Sequence, residues 1–532
     1  MLSLLLGMAF GGCDSGQDGR SLDPGPARLV MSGTKPGVRL DPHMDAQWEV
    51  LYILSAVYET LVNTTADGKV IAGLATDWQV SPDGLNYVFK LKPDVFFHDG
   101  TRFDADAVKV NLQRILSLGP QSLKARSLLP PIQAIDAIDP TTIKIELQRP
   151  DSSFLYALSL PYLGMASPNA LQRWGDRYHH HQAGTGPFAF VDYEVGNFYR
   201  LERRAGVADG SAVMASSGVR PVDEIIWRFL PEPSTRGPAL ISGDIDIAFD
   251  IDPVEAKALE LSDGIAIAKA YLTGQPAFWF LNTAKPPTDD IRVRKAILHG
   301  ADMQAAVDAV MQGYNPKAHG PLAAVTPGYA AEVEALYPHD PDRARALLAQ
   351  AGWLDRDGDG IRERDGQPLR IALSMVSWGK SRIFSEVLFS QLRAIGIEVK
   401  LEMMDFSVQM QAGRQGEKNM LFMGGSGHSA ADSLRGFFHS ENTASGFAWS
   451  KWRDPVLDRY LDQAIIATND QERDRLYRQA QIRIMEQALI VPIYDYVLLV
   501  GVNPRVQGLG WGTAGLAPNF AEIHIGSGKA VR

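Results

Sequence analysis

The sequence predicts an α/β protein on three observations: alternating strands bounded by turn residues, helices opened by capping carboxylates, and a helix–glycine–strand unit late in the chain. Residues 87–91, Tyr-Val-Phe-Lys-Leu, alternate in polarity and follow the turn signal Pro82-Asp83-Gly84, which predicts a hairpin strand. Asp104 then stands where a helix N-cap belongs, before an apolar stripe of Val108, Leu112 and Ile115. Asp340-Pro341 repeats the device as cap and first helical position, Ala344, Leu347, Leu348 and Ala351 form the stripe, and Gly352 stops it. Leu388, Leu392 and Ile395 lead to Gly396 and the alternating strand Ile397-Glu-Val-Lys-Leu401, the αβ half of a wound unit. Residues 470–488 predict a charged amphipathic helix and 489–494 an apolar strand.

At 532 residues, and about 150 per domain, the chain has room for three or so domains. Its 45% hydrophobic and 21% charged residues are those of an ordinary globular protein, which excludes a disordered chain and a collagen-like rod. Net charge is 52 − 62 = −10 with no basic block, so nucleic acid, whose binding rests on neutralised phosphates, is excluded as a partner. A single cysteine excludes a disulfide scaffold, a CxxC redox pair and a Cys-based zinc site. There is no GxxxxGK[ST] loop and no internal repeat; the Gly/Ala/Ser-rich residues 205–219 read as a surface insertion.

That cysteine is Cys13. It follows a charge-free apolar run, residues 1–12, that ends Phe10-Gly-Gly and is too short to span a bilayer. Residues 1–12 therefore read as a signal peptide, Cys13 as a lipidation site, and 13–26, polar and turn-rich, as a tether. Small residues directly before Cys resemble the bacterial lipobox. The expected location is the periplasm, or the outer face of the cytoplasmic membrane, by lipid anchor.

The order of further motifs resembles a known family. Tyr58-Glu-Thr-Leu-Val62, Leu74-Ala-Thr-Asp-Trp78, Ser81-Pro-Asp-Gly84 and Phe97-His-Asp-Gly-Thr-Arg-Phe103 are followed by Gly184-Thr-Gly-Pro-Phe188, Ser242-Gly-Asp-Ile-Asp-Ile247 and Asn282-Thr-Ala-Lys-Pro-Pro287. This succession, over about residues 28–510, resembles the family 5 solute-binding proteins of ABC importers, which carry peptides, nickel and related chelates. The linear match is closest to the nickel-binding branch. The resemblance implies a two-lobe periplasmic-binding-protein fold with an additional inserted domain and the ligand in the inter-lobe cleft. Carried over by motif, lobe one comprises 27–58, 182–275 and 488–532, the inserted domain 59–181, and lobe two 276–487. The resemblance further implies a monomer without cofactor or catalysis, whose partners are an ABC permease with its ATPase subunits and one small solute, a short peptide or a metal chelate.

In the nickel branch a lobe-two loop reaches the cleft, and its counterpart here is Leu421-Phe-Met-Gly-Gly-Ser-Gly-His-Ser-Ala-Ala-Asp432. Anchored on Asp432, the branch's Trp falls on Ser426 or Gly427, its Tyr on Ala431 and its ligating His on Ser445, while Tyr162 replaces a chelate-clamping Arg. In the dipeptide branch the amine-binding Asp falls on His428 or Ser429. Neither ligand geometry is carried over intact. The candidate ligand-binding residues are therefore His428, Asp432, Arg435, Ser426, Trp48 and Tyr162, with His439 and Tyr52 nearby. Arg435 offers a planar fork for a carboxylate, and His428 and Asp432, four apart, share a face if the loop opens a helix.

Three other motifs carry chemistry. His179-His180-His181 is the one histidine cluster, but neighbours on a strand point to opposite faces, so a solvated loop is the expectation over a metal site. Asp355-Arg-Asp357-Gly-Asp359-Gly360 copies the first half of a calcium loop, yet Gly366 stands where a bidentate Glu belongs, which favours a plain turn. Ser426 beside His428 suggests a secreted serine hydrolase or peptidase, but His428 replaces the last Gly of the nucleophile elbow. That enzyme and a surface protein-interaction or chaperone module are the alternatives to solute capture.

Overall fold

A computed structural model describes residues 25–34, 40–45, 50–65, 68–122, 124–205, 219–262, 264–376, 379–425, 428–512 and 518–526. The expected signal peptide, residues 1–12, and Cys13, Trp48, Ser426 and most of the 205–219 segment lie outside the described residues.

Three sheets carry the α/β fold. The first has seven strands in the order Ala266–Tyr271, Val497–Val502, Ile247–Ala248, Arg28–Gly33, Glu224–Phe229, Phe198–Arg203 and Phe188–Glu194. Its centre is parallel: Arg28–Gly33 runs alongside Glu224–Phe229 in the register Leu29↔Ile225 and Met31↔Trp227. The second is an antiparallel four-stranded sheet, Ala75–Val80, Asn86–Leu91, Thr142–Leu147 and Ile132–Asp139, packed by the helix Ala105–Leu118. That helix starts where Asp104 accepts from the Ala107 amide at 2.9 Å, and it buries Val108, Leu112 and Ile115 as the stripe predicts. The third sheet orders Glu398–Met403, Arg370–Met375, Met420–Met423, Ala277–Leu281 and Ile490–Tyr494. Ala277–Leu281 and Ile490–Tyr494 are buried throughout, as sheet strands covered on both faces must be.

Local chemistry sets these elements. The helix Ser381–Ala394 buries Phe384, Leu388 and Leu392, and the chain then reverses at Gly396, whose φ of +94° only glycine adopts freely. A Cβ there would also lie 2.6 Å from the Arg362 side chain. The strand Glu398–Met403 follows, parallel to Arg370–Met375.

The inserted residues do not fold around a core of their own. Their apolar side chains, from Leu74 to Tyr178, join those of the seven-stranded sheet in one continuous cluster, while the five-stranded sheet has a separate one. The junction is also polar. Arg114 donates to both oxygens of Asp41, at 3.0 and 2.6 Å, and the Tyr58 and Tyr178 hydroxyls bond at 2.9 Å. Among the described residues, no helix is long and apolar enough to cross a membrane.

The chain passes between the first and third sheets at 272–276 and again at 495–496. These crossings are bonded to each other, the Leu272 amide donating to the Tyr496 carbonyl at 3.0 Å. Asp495 fixes the second crossing to the Asn315–Ala324 loop. Its amide donates to Pro316 O and its carbonyl accepts from Asn315 Nδ2, both at 2.9 Å. Its Oδ2 accepts from the Ala324 amide at 2.9 Å, while Oδ1 is buried without a partner. Burial, opposed by the Ala324 amide, pushes this carboxyl up to about 7. Between the ordinary value of 3.8 and about 7 the folded protein thus holds a proton that the unfolded chain has released. The resulting stabilisation is complete below the lower value and is lost as pH rises through the upper, by at most about 1.4 kcal/mol per pH unit. We expect Asp495→Asn, which keeps an oxygen for Ala324, to match the wild type near pH 4 and to exceed it in urea midpoint near pH 8.

Candidate functional site

The strand Met420–Met423 delivers its chain to the junction of the sheets, where Gly424 and Gly425 turn it. Space requires the first glycine: a Cβ at Gly424 would lie 2.6 Å from the Tyr496 hydroxyl and 2.9 Å from the Ala277 Cα. The second has φ +71°. The chain then reaches His428 and enters the helix Ala430–Phe438, whose cap Ser429 accepts from the Asp432 amide at 3.2 Å.

His428 is anchored by its backbone and shielded by its surroundings. Its carbonyl oxygen accepts two hydroxyls at 2.9 Å each, Tyr156 from the inserted domain and Thr273 from the first crossing. Its ring stacks on Tyr162, centroids 6.4 Å apart. Burial, aided by the nearby Lys124 charge, lowers the imidazole to about 4, so it is neutral at physiological pH. One helical turn on, Asp432 accepts from Lys124 Nζ at 3.2 Å, across from lobe two to the inserted domain. Both side chains are partly covered, at 16% exposure for Lys124 and 34% for Asp432.

The structure therefore brings His428, Asp432 and Tyr162 together. It does not bring Arg435 to them: that guanidinium binds Glu441 and, at 3.2 Å, Asp462, and is occupied within lobe two. His439 joins the same group, 3.2 Å from Asp462. Tyr52 is a core residue, stacked on Phe249 at 4.5 Å and 2% exposed. Sequence reasoning missed Lys124, Tyr156, Thr273 and Tyr496. Thr273 and Tyr496 carried a signal, since each sits in a short link between strands of different sheets; Lys124 and Tyr156 carried none.

The other motifs resolve differently. The histidines end a 3-10 helix, Gly175–His180, rather than a loop; the His179 and His180 rings lie 3.9 Å apart, His180 stacks on Tyr193 at 5.1 Å, and His181 stacks on Trp174 at 3.5 Å. In the acidic loop, Asp355 and Asp357 approach Glu363, with one ligand atom of each within 4.8 Å of the others. Asp359 does not belong to that group, because its Oδ1 caps the Ile361 amide at 2.7 Å. The acidic group thus includes Glu363 rather than the weaker candidate Asp359. Asp355 in turn is used by the loop, accepting from the Gly358 and Gly360 amides at 2.8 and 3.2 Å.

Two sheets joined by paired crossings, with polar groups facing each other between them, define a two-lobed solute receptor. The matching family model is that of the bacterial extracellular solute-binding proteins, family 5, over residues 69–445. The chain belongs to this family, and it is an extracytoplasmic solute-binding protein of an ABC importer. It is 30% identical over 451 residues to the glutathione-binding protein GsiB of Pectobacterium atrosepticum, covering 82% of each chain. With GsiB of Salmonella typhimurium it shares 29% over 489 residues, 88% of this chain and 89% of the relative. NikA from Brucella suis, solved with Fe(III)-EDTA, superposes with TM-score 0.81 at 27% identity, over 93% of this chain and 99% of that one. DppA from Helicobacter pylori, solved with the peptide STSA, shares the fold at TM-score 0.74 and 24% identity, over 94% and 98%.

Tyr156→Phe removes one of the two donors to the His428 carbonyl and leaves no buried group unpaired. We expect it to lower stability by about 1 kcal/mol, the net value of one such bond, measurable by urea unfolding.

Proposed function

We propose that the chain captures a short peptide or peptide-like solute bearing both an ammonium and a carboxylate, closes its lobes on it and delivers it to an ABC permease. The observation that carries this reading is the Lys124–Asp432 pair, two opposite charges 3.2 Å apart on facing walls of the cleft. A ligand entering between them with a carboxylate for Lys124 and an ammonium for Asp432 replaces the interaction it breaks. Tyr162 and the neutral His428 ring supply the flat, apolar side of such a pocket. The glutathione-binding relatives, which match over most of the chain, support the same chemical class. Arg435 is left out of this site; Ser426 and Trp48, outside the described residues, remain candidates from the sequence.

A metal chelate is the second reading, favoured by the overlap with NikA and by the neutral imidazole of His428, the protonation state that ligates metals. The lobe boundaries near residues 58, 182 and 276, anchoring through a lipid on Cys13, a monomeric state and the absence of catalysis belong to the proposal; the boundary expected at 488 moves to the second crossing at 495–496, because Ile490–Tyr494 pairs with Ala277–Leu281 in the lobe-two sheet. Tethering keeps the receptor beside its permease, at an effective concentration of order mM for a short flexible linker.

Calorimetry on the Cys13→Ser protein with glutathione, dipeptides and nickel–histidine separates the readings. Stoichiometric binding of a peptide, weakened at least tenfold by both Lys124→Met and Asp432→Asn, is the expected outcome. Binding of nickel–histidine alone, lost in His428→Ala, decides for the chelate. Turnover of a peptide or ester would overturn solute capture altogether.

A further inference from the structure

A second ion pair spans the cleft, away from the proposed ligand charges. Lys380, just before the lobe-two helix Ser381–Ala394, bonds Oδ2 of Asp252 in lobe one. Among the described residues it is the ion pair that joins the two lobes directly, since Lys124 belongs to the inserted domain. Both partners stand on rigid supports. Asp252 caps the helix Pro253–Leu259, its Oδ1 accepting from the Val254 amide at 3.0 Å. Lys380 precedes Ser381, whose hydroxyl ties the start of its helix to the Val376 carbonyl.

The charges around Asp252 explain what Lys380 does there. Asp250, Asp252 and Glu255 surround the buried Arg236, which is 1% exposed and reaches Asp250 at 3.8 Å. Glu255 accepts from the Gly237 amide at 3.0 Å. Three acidic side chains gather around one guanidinium, and Lys380 arrives from lobe two to set a second cation beside Asp252. At 25% exposure for Lys380 and 30% for Asp252 the pair is partly desolvated, hence stronger than a surface pair, yet still within reach of dissolved salt.

We infer that Asp252 and Lys380 form a closure latch, which biases the receptor toward its closed form before any solute arrives. Rotation about 272–276 and 495–496 separates the helices that carry the two charges, so opening must break the pair. The latch rests on the proposed lobe closure but not on any ligand identity, and its test needs no ligand.

The test is small-angle scattering from the ligand-free, full-length protein between 20 mM and 1 M NaCl, with circular dichroism to confirm folding. We expect the radius of gyration of the wild type to rise with salt, as the Debye length shrinks to about 3 Å and the pair is screened. Lys380→Met is expected to have the larger radius already at low salt and a reduced salt response, the remainder coming from Lys124–Asp432; Lys380→Arg restores both. Asp252→Asn serves as the second variant, because asparagine caps a helix as well as aspartate and removes only the charge. The double variant is expected to be no more open than either single one. Equal, salt-independent radii in wild type and folded variants would overturn the latch, as would additive effects of the two substitutions. Failure of every peptide and chelate to bind, with the radii behaving as expected, removes the ligand assignment and leaves the latch standing.

Discussion

The carbonyl oxygen of His428 is the point on which the rest of the site depends. A backbone carbonyl has two lone pairs, and a buried one must find donors. Here the donors come from two other parts of the molecule: Tyr156 from the inserted domain and Thr273 from the crossing between the lobes. One atom of lobe two therefore reports the position of both other bodies. The consequence propagates along the chain, because the same residue puts its ring against Tyr162 and starts the turn that presents Asp432 to Lys124. Two glycines before it allow the approach, since the Tyr496 hydroxyl occupies the space a side chain at Gly424 would need.

Around that point the bonds that reach lobe two are polar, while the inserted residues and the seven-stranded sheet share one apolar cluster and lobe two keeps its own. Tyr314 adds an apolar contact, a lobe-two side chain seated in the small lobe-one cluster with Leu240, Ile251 and Leu499, close to the crossings. This division of labour is what a hinged receptor requires. Apolar burial, at about 25 cal/mol per Å², holds each lobe together without directional demand. Hydrogen bonds and ion pairs between lobes are individually worth about 1 kcal/mol, so they specify one closed geometry without making it permanent. Ser152 illustrates the scale: its amide and hydroxyl donate to the Ile465 and Ala464 carbonyls, at 2.6 and 2.9 Å, docking the inserted domain on the exposed end of a lobe-two helix.

Most of the framework was legible in the sequence because local rules write it. Asp104 and Asp340 cap the helices they were expected to cap, with amide contacts of 2.9 and 2.8 Å, and the strand predicted at 87–91 spans Asn86–Leu91. The helix predicted at 470–488 spans Asp470–Glu486. The site was legible only in part, for a physical reason. His428 and Asp432 lie on a loop that a motif order locates, but Lys124 meets Asp432 across 308 residues of chain and Tyr156 meets His428 across 272. No local pattern marks such partners. Arg435 shows the opposite limit: a guanidinium suited to a ligand carboxylate suits Glu441 and Asp462 equally well, and here it pairs with them.

The same asymmetry explains why family membership does not name a ligand. Fold-determining residues are constrained by neighbours in the chain and in the sheets, and those constraints are shared by receptors that hold peptides and receptors that hold chelates. The ligand meets instead a handful of side chains, free to change together. At the proposed site, what would constrain the ligand is charge balance. A solute of one sign entering between Lys124 and Asp432 would pair with one residue and strand the other. In a fully buried site, removing one partner of an ion pair costs about 3–5 kcal/mol, and the partial exposure of this pair keeps the cost below that. A solute carrying both signs replaces the pair at both ends and strands nothing. On the proposed site, selection for such solutes would follow from two side chains, whatever branch of the family the remaining sequence resembles.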